Sequence, residues 1–304
     1  MNRILMLWSD VEGDFPQIIN AYYPEVTDNA NIFKKIGVVR RAIRRVLIKS
    51  VHLQCLYVDS WINSINQYDM IVVPADKLTL KIPEYLNKKG YRGRLIWWYW
   101  NPVNVEASPS PNLINRQLCE LWSFDKRDCE IYQMRYNTQY FFARYPRKNT
   151  PITQDFYFVG KEKGRYSVLK ELEKKLASFG YSTKFIITAN SPRENSHKYD
   201  FPISYKDNLQ RDQESRCIVE INQENQVGLT LRSLEALFFE KKLITDNTSI
   251  MEEEFYDENN ILLLEEVSKD SVHEFINKPF QAKNSAVQFY DFNSWIERFC
   301  ADNI

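Results

Sequence analysis

Glycine is scarce in this 304-residue chain: 8 are present, against about 21 expected at average usage. Glycine-rich nucleotide loops are missing with it. There is no GxGxxG, no GxxxxGKS/T and no GxSxG, which argues against a dinucleotide enzyme, a P-loop NTPase and an α/β-hydrolase. The five cysteines are odd in number and show no CxxC spacing, the usage of reduced thiols rather than of a disulfide or zinc framework. His52, His197 and His273 lie far apart, and no HExxH or Asp-x-Asp pair is present, so neither metal nor cofactor is expected. Of the three, His197 sits in a polar loop and is the one placed to touch a ligand. No apolar run approaches the ~20 residues needed to cross a bilayer, and the N-terminal MNRILMLWSDVEGD turns acidic too soon for a signal peptide. The expected location is the cytoplasm.

Net charge is absent as well, with 40 basic and 40 acidic residues. The balance hides a division. Residues 1–150 carry 21 Lys and Arg against 14 Asp and Glu, a charge of +7, and residues 151–304 carry 19 against 26, a charge of −7.

What is present is an alternation of short apolar runs and helical patterns. In the first half, Ile4 to Trp8, Leu53 to Val58, Met70 to Val73, Leu95 to Trp100 and Leu121 to Phe124 read as strands. Helices are expected at Ile32 to Lys49, Lys77 to Lys88 and Lys126 to Met134. This order belongs to a parallel sheet with crossover helices, an α/β domain. The stretch Tyr145 to Gln154 has two prolines and little apolar content, so the boundary is placed at residue 150. The pattern then restarts with strands at Phe156 to Val159, Lys184 to Thr188, Cys217 to Ile221, Leu243 to Thr245 and Ile261 to Leu264. Helices follow at Tyr166 to Phe179, Leu229 to Phe239, Ser271 to Asn277 and Phe292 to Cys300. Two Rossmann-like domains, 1–150 and 151–304, are expected to face across a cleft, with the last helix free to pack back on the first domain.

Four segments carry chemistry. Gly160-Lys161-Glu162-Lys163-Gly164-Arg165 joins a strand to a helix; close backbone approach, a helix N-terminus and three cations suit a phosphate or diphosphate. An ordinary strand-to-helix turn with a solvated basic loop has the same spacing. Gln226-Val-Gly-Leu-Thr-Leu-Arg-Ser-Leu-Glu235 opens a second helix. There Gly228, Thr230 and Arg232 suit a diphosphate, and Glu235, on the face of Arg232, can accept ribose hydroxyls. A surface ion pair between Arg232 and Glu235 is the alternative.

The third segment, Lys34 to Lys49, holds seven cations and no acid. Phe33, Ile36, Val39, Ile43, Val46 and Leu47 recur at helical spacing, so Lys34, Lys35, Arg40, Arg41, Arg44 and Arg45 would rest on an anionic membrane. A core helix with a solvated basic back is the competing reading. These cations are not interleaved with stacking aromatics, and nucleic acid is not an expected partner. In the fourth, Asp10, Glu12 and Asp14 follow the first strand, and Trp97-Trp98-Tyr99-Trp100-Asn101 ends the fourth. Asp10 is the candidate catalytic base, ahead of Glu12 and Asp14, while Glu12, Trp98 and Asn101 suit a saccharide acceptor; a solvated acidic loop and an aromatic run buried in the core are the competing readings.

The order of elements, the Gly160-Lys161 loop and Gln226 to Leu237 followed by Lys241-Lys242-Leu-Ile-Thr-Asp-Asn247 resemble bacterial GT-B glycosyltransferases of lipopolysaccharide, capsule and exopolysaccharide synthesis. Trp122-Ser-Phe-Asp-Lys-Arg-Asp128 with Tyr132 is similar to a segment of small transferases of this kind. Asn225-Gln226-Val227-Gly228 stands where such enzymes usually have Glu-x-Phe-Gly. The resemblance implies an acceptor-binding first domain and a donor-binding second domain. A UDP- or GDP-sugar would be held by Glu235 at the ribose, by Lys161, Lys163, Arg165 and Arg232 at the diphosphate, by Gly228 and Thr230 beside it, and by Gln226 at the sugar. It also implies metal-independent transfer to a lipid-linked or oligosaccharide acceptor. A non-catalytic two-domain protein binding an anionic ligand or polysaccharide is the alternative.

Overall fold

A computed structural model describes residues 3–56, 58–103, 108–191, 196–223 and 228–301. They form two α/β units, Met1–Thr138 with Ile296–Ile304, and Gln139–Trp295. The first contains β1 (Ile4–Trp8), α1 (Asp14–Tyr22), β2 (Asp28–Asn31), α2 (Val38–Leu47), β3 (Met70–Pro74), α3 (Ile82–Lys88), β4 (Arg94–Tyr99), β5 (Glu120–Ser123), α4 (Lys126–Tyr132) and β6 (Arg135–Tyr136). Its sheet is parallel, in the order β2-β1-β3-β4-β5-β6. Interior strands of such a sheet are covered on both faces, which is why β1, β3 and β4 are nearly continuous apolar runs. Ile71, Val73, Trp97 and Tyr99 are fully buried there.

Four readings change in this unit. The helix expected from Ile32 begins only at Val38, after buried Ile32 and Phe33. Leu53 to Val58 is not a strand: Val51–Leu56 is a 3₁₀ turn. Buried Gln54 donates its side-chain amide to the Ile48 carbonyl and accepts Val58 N–H at 2.9 Å, which curls the chain instead of extending it. β2, with the sequence DNAN, escapes notice because an edge strand needs no apolar run. The helix expected from Lys77 begins only at Ile82. Asp76 first turns the chain by accepting Leu78 N–H at 2.6 Å, and Pro83 then opens the helix.

The second unit contains β7 (Gln154–Lys161), α5 (Tyr166–Ser178), β8 (Thr183–Thr188), α6 (Tyr205–Gln213), β9 (Ser215–Glu220), α7 (Leu231–Phe238), β10 (Lys242–Thr245), β11 (Ile261–Leu263), α8 (Lys269–Asn277), α9 (Asn284–Tyr290) and the start of α10 (Phe292–Cys300), as far as Trp295. Its sheet is parallel in the order β11-β10-β9-β7-β8. α6 was hidden in the sequence because most of what it buries is polar: Asn208, Asp212 and Gln213 beside Leu209.

The boundary lies at Thr138/Gln139 rather than at residue 150. Phe141 N–H donates to the Tyr290 carbonyl and accepts Phe292 N–H through its own, both at 2.9 Å. The proline-containing stretch is also tied to the second unit, through Lys148 N–H to Gln213 Oε1 at 2.6 Å and an Arg147–Glu240 ion pair. From Ile296 onward α10 is part of the first unit. Phe299 meets the edges of Trp98 and Trp122 at 5.8 and 4.9 Å, and Arg298 Nε donates to Asn137 Oδ1 at 2.7 Å.

In each sheet the chain starts inside and builds outward to both sides, first to one neighbour and then to the other. The reversal falls between β1 and β3 in the first sheet and between β7 and β9 in the second. Ligands of open parallel sheets bind beyond the carboxyl ends of the strands at that reversal. The loops after β1, β3, β7 and β9 are therefore the ones to inspect.

Candidate functional site

β7 and β9 are neighbours, so the Gly160 turn and the N-terminus of α7 leave the second sheet side by side. Two arginines stitch them together. Arg165 donates to the Lys161 carbonyl through Nε at 3.3 Å and Nη2 at 3.1 Å, and through Nη1 to the Ile221 carbonyl beyond β9. Arg232, on α7, donates through Nη2 to the Val159 carbonyl of β7 at 3.1 Å. Gly160 makes the first contact fit, because a Cβ there would lie 3.0 Å from Arg165 Nη2 and 3.3 Å from the Phe158 ring. The Arg165 guanidinium also sits over that ring at 5.3 Å.

Arg165 differs from Arg232 in how its charge is met. Its hydrogen bonds go to neutral carbonyls, and its pKa is pushed down to about 10 by burial and then by the charge of Arg232. Both effects favour an incoming anion, which would neutralise a guanidinium that has lost water. Arg232 is already answered. Burial opposes its charge, yet Glu235 and Asp212 hold its pKa up.

Glu235 is 0% exposed. Its Oε2 accepts from Arg232, and its Oε1 accepts from Tyr205 OH at 2.9 Å and from Asn208 Nδ2 at 3.4 Å. Both oxygens are engaged inside the unit, so the ribose contact expected of Glu235 is corrected, and so is the surface ion pair offered as its alternative. Asp212, likewise buried, accepts from Asn208 Nδ2 at 3.1 Å. Burial and then the charge of Glu235 raise its pKa well above the carboxylate range.

Thr230 is also used internally. It caps α7 by accepting Arg232 N–H at 3.0 Å and donates its hydroxyl to Glu220. Glu220, 1% exposed at the end of β9, further accepts from Ser233 Oγ at 2.8 Å and Thr245 Oγ1 at 2.7 Å. Sequence reasoning missed this carboxylate, although an acid ending an apolar strand and the i, i+3 pair Thr230 and Ser233 signal it. It missed Asp246 too. Asp246 accepts Asn222 N–H at 2.8 Å, and burial raises its pKa.

The Gly160–Gly164 turn is less open than expected. Lys163 N–H donates to Asn190 Oδ1 at 2.9 Å and Gly164 N–H to Glu162 Oε2 at 3.1 Å, so those amides are not free for a phosphate. The turn needs left-handed backbone at Lys163 (φ 42°) and Gly164 (φ 82°). Lys161 is exposed and Lys163 half-buried on its outer side. Gly228 is half-buried ahead of α7, and Gln226 lies outside the described residues, while His197 is exposed.

In the first unit, Asp10 is exposed just after β1 and its Oδ1 accepts Glu12 N–H at 3.1 Å. Asn31, at the end of β2, accepts Val11 N–H at 2.7 Å and so fixes the loop. Glu12 is not free for an acceptor as expected: Lys35 pairs with it at 2.5 Å, and the bond to Glu12 raises the lysine's pKa. Trp98 is corrected more fully. It is 1% exposed, because β4 is an interior strand. The aromatic at this edge is Trp100, half-buried and edge-on to Phe15 at 5.2 Å and Trp8 at 6.3 Å. Asn101 is half-buried next to it.

α2 has no buried residue. Val38, Val39, Ile43 and Val46 are between 48% and 75% exposed, so the core-helix reading fails; of the expected stripe, however, Phe33 is buried ahead of the helix and Ile36 and Leu47 are half-buried, which leaves Val39, Ile43 and Val46 facing outward. Lys34, Lys35, Arg40, Arg41 and Arg45 are exposed. Arg44 is the exception among the expected lipid-facing cations, half-buried with its guanidinium 4.8 Å from the centre of the Phe33 ring.

No protein-family model matches the chain, and no curated protein matches it in sequence. Solved structures do. The lipopolysaccharide outer core galactosyltransferase WaaB is 12% identical, with 98% of each chain covered and a TM-score of 0.53. HepE from Anabaena, solved with UDP, is 13% identical over 98% of each chain with a TM-score of 0.57. Sucrose-phosphate synthase from Thermosynechococcus elongatus is 10% identical over 99% of this chain and 98% of its own, with a TM-score of 0.59. A UDP-GlcNAc 2-epimerase from Methanocaldococcus jannaschii, 13% identical over 99% of this chain and 98% of its own, reaches 0.51. Over its whole length the chain has the fold of the GT-B glycosyltransferases.

Proposed function

We propose that the protein is a glycosyltransferase that binds a nucleotide sugar at the carboxyl edge of the second sheet and passes the sugar to a lipid-linked or oligosaccharide acceptor bound by the first unit. The observation that carries this is Arg165, a half-buried guanidinium held by neutral carbonyls between the β7 and β9 loops, with Arg232 beside it. Asp246, Glu220 and Glu162 favour the charge of Arg165 from nearby, and a diphosphate can supply the direct anionic partner. Structures of HepE with UDP and with UDP-glucose support a uridine nucleotide. The likeness to WaaB supports an acceptor in bacterial surface polysaccharide.

In the reaction the anomeric C–O bond to the diphosphate breaks and a bond to an acceptor oxygen forms. Arg165, with Lys161 and Lys163 outside the turn, stabilises the charge growing on the leaving diphosphate, the role an oxyanion site plays. Asp10, exposed beyond β1, takes the acceptor hydroxyl's proton. Trp100 rather than Trp98 offers the aromatic face for a sugar ring. The exposed apolar side chains of α2, flanked by Arg40, Arg41 and Arg45, support action at an anionic membrane surface.

The test is incubation with a panel of nucleotide sugars and lipid or saccharide acceptors, reading nucleotide release. Release dependent on acceptor is expected. Binding without release would make this a non-catalytic binding protein. Conversion of the donor sugar without an acceptor would make it an epimerase, a class sharing the fold.

A further inference from the structure

A cavity of about 630 Å³ opens beside the last turn of α2, within the usual ~300–1,000 Å³ of ligand sites. Its lining joins three segments: the end of α2, the loop after β3 and the loop after β4. These loops leave the same carboxyl edge of the first sheet as the Asp10 loop, and β3 is the immediate neighbour of β1. Four cations line it, Arg45, Lys49, Lys77 and Lys81, and no acid does among the described residues. Lys81 pairs with Glu84 at 2.7 Å, which leaves Arg45, Lys49 and Lys77 as the cations on which the site rests. The walls between the cations are apolar, from Ile48, Leu78, Leu80 and Leu113.

Cations around an apolar hollow suit an apolar chain ending in an anionic group such as a phosphate. We propose that this cavity binds the phosphate end of a single-chain lipid and that this lipid carries the acceptor. The binding rests on the cavity alone, while the acceptor role rests on the glycosyltransferase reading above. Position supports that role: the exposed side chains of α2 would lie in the bilayer, the cavity begins where that helix ends, and β1, which the Asp10 loop follows, is next to β3, whose loop forms part of the cavity wall.

The probe is dodecyl phosphate below its micelle concentration, titrated calorimetrically. Inorganic phosphate, dodecyl maltoside and dioctanoyl phosphatidate supply charge alone, chain alone and a two-chain lipid. Dodecyl phosphate is expected to bind at least tenfold more tightly than each of the three. Lys49→Glu with Lys77→Glu, and separately Leu113→Asp, should each weaken it at least tenfold. All three side chains are exposed, Leu113 at 60%, so the fold should persist by far-UV circular dichroism. No binding of dodecyl phosphate, equal binding of inorganic phosphate or maltoside, or unchanged affinity in Leu113→Asp would overturn the site. Tighter binding of phosphatidate would assign the cavity to bilayer lipid and overturn the acceptor role. UDP is titrated in parallel: its affinity should be unchanged in the variants. Absence of UDP binding in the wild type would sink the donor reading while leaving the lipid site standing.

Discussion

Arg232 and Glu235, one turn apart on α7, form an ion pair in which the carboxylate is wholly buried and the guanidinium reaches across to the Val159 carbonyl at 3.1 Å. The pair fixes α7 against β7 and so sets where the neighbouring Arg165 stands. Removing Glu235 takes away the main partner of a part-buried guanidinium and the hydrogen bonds from Tyr205 and Asn208, a loss of about 2–4 kcal/mol even with Asp212 nearby. Glu235→Ala is therefore expected to lower the melting temperature of the second unit by roughly 10 °C. A change of under 2 °C, read by scanning calorimetry, would contradict the buried pair.

Asp212 makes stability depend on pH. Burial and Glu235 raise its folded pKa, so between the ordinary carboxylate value and that raised value the folded protein holds more protons than the unfolded chain. Stability then falls as pH rises through this window. Glu235, whose pKa burial also raises, adds a slope of the same sign, so Asp212→Asn should flatten the dependence without abolishing it, raising the melting temperature by a few degrees at pH 8 and by little near pH 4. Parallel melting curves for wild type and variant from pH 4 to 8 would contradict this.

Gly160 leaves room for Arg165. Gly160→Ala would place a Cβ 3.0 Å from Arg165 Nη2 and should displace the guanidinium. Nucleotide affinity is expected to fall by about tenfold, or ~1.4 kcal/mol, with a smaller effect on folding. Titration of UDP into the variant checks it, and unchanged affinity counts against the assigned place of Arg165.

The outward stripe of α2 can be tested without touching the core. Val39→Asp with Ile43→Asp should abolish flotation with phosphatidylglycerol vesicles and leave the melting temperature within about 2 °C, because both side chains are exposed. Equal flotation of wild type and variant, or equal flotation with phosphatidylcholine, would remove the membrane from the account.

Much of this was legible in the sequence because parallel strands are apolar on both faces. β1, β3, β7 and β9 stood out as runs, and with them the two turns at the β7 and β9 ends. What was hidden is polar and long-range. The Glu235 carboxylate could be placed on a helix face but not inside the protein, since Tyr205 and Asn208, which hold it, come from a helix whose buried side is itself polar. Trp98 and Trp100 are indistinguishable as letters. Only the strand's interior position and the packing of Phe299 on Trp98 separate the buried ring from the one at the edge.

The donor site at Arg165 is tested most directly by calorimetric titration of UDP-sugars and GDP-sugars into wild-type protein and Arg165→Ala, with melting curves of both. Wild type should bind one class of donor. The variant, having lost a desolvated charge-assisted contact, should bind at least tenfold more weakly while still melting cooperatively. Equal affinity in a folded Arg165→Ala variant would contradict the site.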